Sequence, residues 1–123
     1  MVCWIDYDRN GKPQDIDVME AVIESKRRAT YTEIAAEFSE NGGDPNWQYQ
    51  AHFELYALIR RQRTERGSID FDLPEADVIV DAQGEPRSIE NRERNDAHRL
   101  IEEFMIAANE AVTRWMMELH WPF

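Results

Sequence analysis

The sequence predicts an α+β fold in which two antiparallel β-hairpins pack with three α-helices. Three observations predict it. The pattern Asp-x-x-Gly-x-Pro-x-x-Ile occurs twice, from Asp8 to Ile16 and from Asp81 to Ile89, each time after a run of strand formers. Thr30-Tyr31-Thr32-Glu33 spells a helix-capping box ahead of an amphipathic run. Asn95-Asp96 opens a third segment whose apolar residues recur at helical spacing as far as Leu119. At 123 residues the chain is one domain at most, large enough for a single modest core.

The first strand is expected over Val2 to Tyr7, followed by a tight turn at Asn10-Gly11, since both residues accept positive φ. The return strand is expected from Ile16 to Glu24. There Ile16, Val18 and Val22 alternate with Asp17, Met19, Ala21 and Ile23, and apolar residues on both faces predict a strand covered on both sides. The second hairpin begins with Val78-Ile79-Val80. In both copies of the pattern Asp caps the turn and Gly takes the left-handed position. Pro begins the return strand where no amide donor is needed, which predicts edge strands.

The first helix starts at Thr30 and runs to Phe38, and Asn41-Gly42-Gly43-Asp44-Pro45 is a loop. A longer helix is expected from about Asn46 to Arg66, with Trp47, Ala51, Leu55, Leu58 and Ile59 on its apolar side and Gly67 as a left-handed stop. Leu73-Pro74 predicts an extended connection. The third helix should span about 36 Å at the standard rise. Its expected core stripe is Ala97, Ile101, Phe104, Ala108, Ala111, Val112, Trp115 and Leu119, and Pro122 ends it.

The net charge is −11, from 25 acidic and 14 basic residues, which argues against non-specific binding to nucleic acid or to an anionic membrane surface. No apolar run approaches the roughly 20 residues of a membrane span. The opening Met-Val-Cys-Trp-Ile-Asp-Tyr-Asp has neither the basic region nor the cleavage site of a secretory leader. The lone Cys3 allows no intrachain disulfide or zinc cluster and suits a reducing cytoplasm.

Few residues stand out chemically. On the third helix Glu102 and Asn109 lie seven apart on one face, where a helix that only fills a core would carry apolar side chains. Arg60, Arg61, Arg63 and Arg66 cluster near the end of the second helix, either complementing its dipole on a solvated face or forming a phosphate-facing strip. The same choice applies to Lys26-Arg27-Arg28. His98 and Glu102 are spaced to share a metal, but no third ligand stands at useful spacing, and no metal site is expected. Tyr31, in the first turn of a helix, can lay its ring over a pocket and offer its hydroxyl to a sugar or a carboxylate; the alternative is a half-buried aromatic in water. Trp115, Met116 and Met117 read as core filler or a contact surface. No phosphate-cradling Gly-rich loop, nucleophile elbow or Cys/His arrangement occurs.

Three segments in register resemble the catalytic (RNB) domain of the ribonuclease R / ribonuclease II exoribonucleases, nearer the ribonuclease R branch. They are Glu24-Ser25-Lys26 with Ala29 to Ala35, Leu55-Tyr56 with Arg63 to Phe71, and, the nearest match, Arg92 to Asn109. The resemblance implies a partial RNB fold, residues 1–123 being a single partial domain. It also implies a magnesium-dependent parent enzyme that hydrolyses single-stranded RNA from its 3′ end and releases nucleoside 5′-monophosphates. By resemblance Tyr31 and Glu102 contact the ribose of bound RNA, while Glu103 and Asn109 support packing and hydrogen bonding of the helix. The family's metal-binding aspartates and base-clamping aromatic fall upstream of this sequence, and its assisting arginine and glutamate fall downstream. The flanking RNA-binding barrels, where positive charge would reside, are also outside it. Asp6 and Asp8, or Asp15 and Asp17, are accounted for by strand alternation and turn geometry. The expectation is therefore one wall of an RNA site, with no bound metal and inactive alone; the alternative is a non-catalytic interaction module derived from that domain. Either form should self-associate through bare apolar surface.

Overall fold

A computed structural model of the chain describes residues 1–68, 75–92 and 95–122, with 75–79 and 87–92 described as backbone only. The elements follow in the order β1 (Val2–Tyr7), β2 (Pro13–Met19), α1 (Tyr31–Asn41), α2 (Gln50–Glu65), β3 (Glu75–Val80), β4 (Pro86–Arg92) and α3 (Asp96–Glu118). This is the expected α+β arrangement. The expected extended connection at Leu73-Pro74 lies outside the described residues.

The repeated pattern makes the same turn twice. Asp8 Oδ1 accepts the amides of Asn10 and Lys12 at 2.8 and 2.9 Å. Asp81 Oδ1 accepts those of Gln83 and Glu85, both at 3.0 Å. Gly11 and Gly84 take the left-handed position, at φ 81° and 83°. The pairings Val2↔Met19 to Tyr7↔Pro13 and Glu75↔Arg92 to Val80↔Pro86 each shift register at the last step before the turn. In these two-stranded sheets every strand is an edge, which spares each proline a missing ladder donor.

The return strand differs from the expectation in both position and burial. β2 begins at Pro13 and ends at Met19, because β1 supplies partners only as far as Val2↔Met19. Beyond it Val22 and Ile23 are 103% and 79% exposed. Within β2, half-buried Ile16 and Val18 alternate with exposed Asp15 and Asp17, so one face is covered rather than two. Gln62 of α2 donates to the Asn10 carbonyl at 2.8 Å, joining the first turn to α2.

The core is aromatic and sits among the helices. Phe53, Tyr56 and Leu100 are buried, with Ile34, Phe38, Trp47, Tyr49 and Phe104 packed on them. Phe38 and Phe53 stack at 4.2 Å between centroids, and Trp47 stacks on Phe53 at 5.5 Å. α2 starts at Gln50, four residues later than expected, because residues 44–50 turn instead: the Asp44 carbonyl accepts from Trp47 and the Trp47 carbonyl from Gln50. That turn delivers the Trp47 ring to Phe38 and Phe53. The buried face of α2 is accordingly Phe53, Tyr56 and Ile59, with Ala51 exposed and Leu55 and Leu58 only half-buried. On α3 the buried residues are Ala97, Leu100, Glu103 and Ala111, whereas Ile101 and Leu119, expected in the stripe, are exposed. No helix among the described residues is long and apolar enough to cross a membrane.

Candidate functional site

Two helix N-termini meet at the site. Thr30 Oγ1 accepts the Glu33 amide at 3.2 Å, and Glu33 Oε2 accepts the Thr30 amide at 2.9 Å, which makes Tyr31 the first residue of α1. Asn95 caps α3 by accepting the His98 amide at 3.1 Å. The Tyr31 ring stacks on the His98 imidazole, with centroids 4.0 Å apart and planes 25° from parallel, yet remains 44% exposed. Glu102, half-buried, lies one helical turn beyond His98 on the same face of α3. The fold thus stacks Tyr31 of α1 on His98, four residues before Glu102 on α3.

Glu103 faces the other way. It is buried, and its Oε1 takes the Arg63 guanidinium at 2.5 Å, with side-chain exposures of 9% for Glu103 and 17% for Arg63. Arg63 also donates to Ser68 Oγ at 3.0 Å. Among the described residues Glu103 Oε2 has no hydrogen-bond partner. This pair links α2 to α3. Asn109 is exposed, and its carbonyl accepts from Thr113 Oγ1 at 2.8 Å.

The arginine cluster does not form one strip. Arg63 is turned inward to Glu103, and Arg60 donates to the Tyr56 hydroxyl at 2.8 Å. Arg61 is on the solvent side, 4.0 Å from Glu65, and Arg66 lies 3.7 Å from Glu110. Arg27 is held by Glu37, which also accepts from Trp47 Nε1 at 3.2 Å. The Arg27 guanidinium, followed by the Trp47 donor, holds the Glu37 carboxyl below the usual range, and the same contact raises Arg27. A cleft of about 480 Å³ opens elsewhere, between the first hairpin, α2 and α3. Burial pushes its Tyr7 hydroxyl up, with smaller contributions from Cys3 and Glu110.

The model of the RNB domain matches residues 1–123, the whole chain. The chain belongs to the RNB domain family. It is 43% identical to ribonuclease R of Aquifex aeolicus (strain VF5) over 125 residues, covering 94% of this chain and 17% of that protein. It is 37% identical to ribonuclease R of Escherichia coli (strain K12), covering 94% of this chain and 15% of that protein. Mycoplasma genitalium RNase R in complex with ribose methylated single-stranded RNA matches with a TM-score of 0.82 at 29% identity, covering 96% of this chain and 19% of that one. The same enzyme in complex with double-stranded RNA gives 0.83, covering 97% and 22%. This RNB chain therefore spans about a sixth of the length of the curated relatives it matches.

Among the described residues of this RNB chain, no group of three or more His, Cys, Asp or Glu side chains is arranged to hold a metal. His98 joins the site by stacking on Tyr31, a contact that its spacing from Glu102 does not signal. Its spacing from Asn95, cap to third helical position, was the available signal.

Proposed function

We propose that this RNB segment forms part of the RNA-facing wall of a magnesium-dependent exoribonuclease. That enzyme shortens single-stranded RNA from the 3′ end and releases nucleoside 5′-monophosphates. The observation that carries the reading is the stacked Tyr31–His98 pair one helical turn from Glu102, in a chain 43% identical to a ribonuclease R. A carboxylate accepting from a 2′-hydroxyl lets a protein prefer RNA to DNA, and an aromatic ring beside it can lie against the sugar. Arg61, and to a lesser degree Arg60, are the proposed phosphate contacts. Arg63 stays in this set only if its bond to Glu103 opens on binding. The segment alone is proposed to be inactive. The RNA complexes of the M. genitalium enzyme support RNA as the partner. A cytoplasmic setting belongs to the same reading, with Cys3 a free thiol there, and cell fractionation checks it.

The test combines hydrolysis and binding. Purified chain with magnesium should leave end-labelled RNA at full length, and sustained release of monophosphates by repurified protein would overturn the inactive assignment. RNA titration should show binding weakened by Glu102→Ala and by Tyr31→Phe; binding indifferent to both removes the proposed site. A second reading, self-association through uncovered apolar surface, is favoured by area. The chain exposes 9799 Å², where a monomer of its mass would expose about 6,900 Å². Trp4, Val22, Ile23, Met105 and Trp121 contribute to that surface. Light scattering that gives a strict monomer at high concentration would refute it.

A further inference from the structure

We propose that His98 is a positioning residue that holds the Tyr31 ring over the ribose of bound RNA, an inference that rests on Tyr31 and Glu102 being the ribose contacts. The capping box of α1 fixes only the backbone of Tyr31. Its side-chain torsions are set by what the ring touches, and as the first residue of α1 it has no preceding helical turn to lean on. The touching surface is the His98 imidazole, 4.0 Å away and nearly parallel.

His98 is itself held. Its Nδ1 lies 3.0 Å from Asn95 Oδ1 and 3.4 Å from the Asn95 amide. With the proton on Nδ1 the ring donates to Asn95 Oδ1; with the proton on Nε2, Nδ1 accepts from the amide. In both tautomers the partner of Nδ1 is Asn95. Asn95 thus fixes His98, and His98 fixes Tyr31. Glu102 rides on the same helix, four residues along, so the platform and the carboxylate keep a spacing of about 6 Å along the axis. Tyr31 is set against α3 by its stack on His98, not through its own helix. A residue that only packs would, on removal, weaken all nucleic-acid binding alike. A residue that aims Tyr31 at a ribose changes the preference for RNA over DNA.

The experiment titrates the full chain, at fixed salt, with a short single-stranded RNA and with DNA of matching sequence. His98→Ala should weaken RNA binding about three- to tenfold, the worth of one ring stack, while DNA binding stays within about twofold. His98→Phe, which keeps a ring face, should retain the RNA preference. Adding His98→Ala to Tyr31→Ala should cause no further loss. If His98→Ala does not fold, His98→Leu is read by the same criteria. An RNA preference unchanged by the His98 substitutions but lowered by Tyr31→Ala overturns the positioning role and leaves the ribose site standing. A preference unchanged by Tyr31→Ala and Glu102→Ala, or no RNA binding by the unaltered chain, overturns both.

Discussion

Replacing Arg63 by alanine leaves the Glu103 carboxylate inside the protein without its cation. The side chains are 17% and 9% exposed, so water can restore little of the lost interaction. Glu103 Oε2 has no hydrogen-bond partner among the described residues, so the Arg63 guanidinium is the group that offsets the desolvation of Glu103. Breaking a buried pair by removing one partner costs about 3–5 kcal/mol. The partial exposure of Arg63 favours the lower end, about 3 kcal/mol. A chain of this size has a total stability on the order of 6–18 kcal/mol, so the loss is a substantial fraction. In urea unfolding followed by circular dichroism, with a slope of about 1.5 kcal/mol/M, the midpoint should fall by about 2 M. The double replacement Arg63→Met with Glu103→Leu removes both charges and keeps apolar volume. It should return to within about 1 kcal/mol of the parent or exceed it. A midpoint shift below about 0.5 M for Arg63→Ala, or a double variant no better than the single one, would refute the account of a desolvated pair.

Gly11 and Gly84 occupy the same turn position at φ 81° and 83°, but a Cβ on Gly11 would lie 2.7 Å from Leu58 Cβ, whereas Gly84 has nothing within 4 Å. Both alanine variants pay the left-handed strain of about 1–2 kcal/mol, and Gly11→Ala should be the more destabilising in thermal melts by at least about 1 kcal/mol. Equal losses would show that the turn does not press on α2. Glu37 has a depressed folded-state pKa, owing first to Arg27 and then to Trp47. Its contribution to stability is present above the ordinary glutamate pKa, about 4.3, and is lost as pH falls through the lower folded value. The Tm difference between parent and Glu37→Gln should therefore shrink under acid conditions; a difference constant from about pH 6 to about pH 3 would sink this assignment.

What was legible in the sequence is what local chemistry decides. The turn needs an acceptor at its first residue, a left-handed position and a return without a donor, and Asp8, Gly11 and Pro13 supply these within six residues, as Asp81, Gly84 and Pro86 do again. The caps at Thr30 and Asn95 were readable for the same reason, since each closes on a residue three positions on. The exit of β2 was not. Val22 and Ile23 have strand propensity, but a strand also needs a partner, and β1 provides none past Met19. The phase of α2 is not legible because Trp47, apolar and at helical spacing from Ala51, belongs to the turn before the helix. Phe53 and Tyr56, on the other face, are the residues that reach Leu100.

The doublet Glu102-Glu103 shows where such reading stops. Consecutive helical residues point about 100° apart, so one carboxylate can enter the interior only if its neighbour stays near the surface. Helical spacing alone does not say which is which, because the deciding cation, Arg63, is 40 residues away on another helix. Once Glu103 is committed to Arg63, Glu102 is turned toward the side of α3 that carries His98, and His98 in turn holds Tyr31. The buried pair and the proposed ribose contact are thus coupled through helical phase. A substitution that frees Glu103 would let α3 rotate or shift against α2. It would disturb Glu102 without touching it, so Arg63→Ala should weaken RNA binding as well as stability, whereas the apolar double replacement should restore both. RNA affinity that stays at the parent level in a folded Arg63→Ala chain would show that α3 is held in phase by the aromatic core alone.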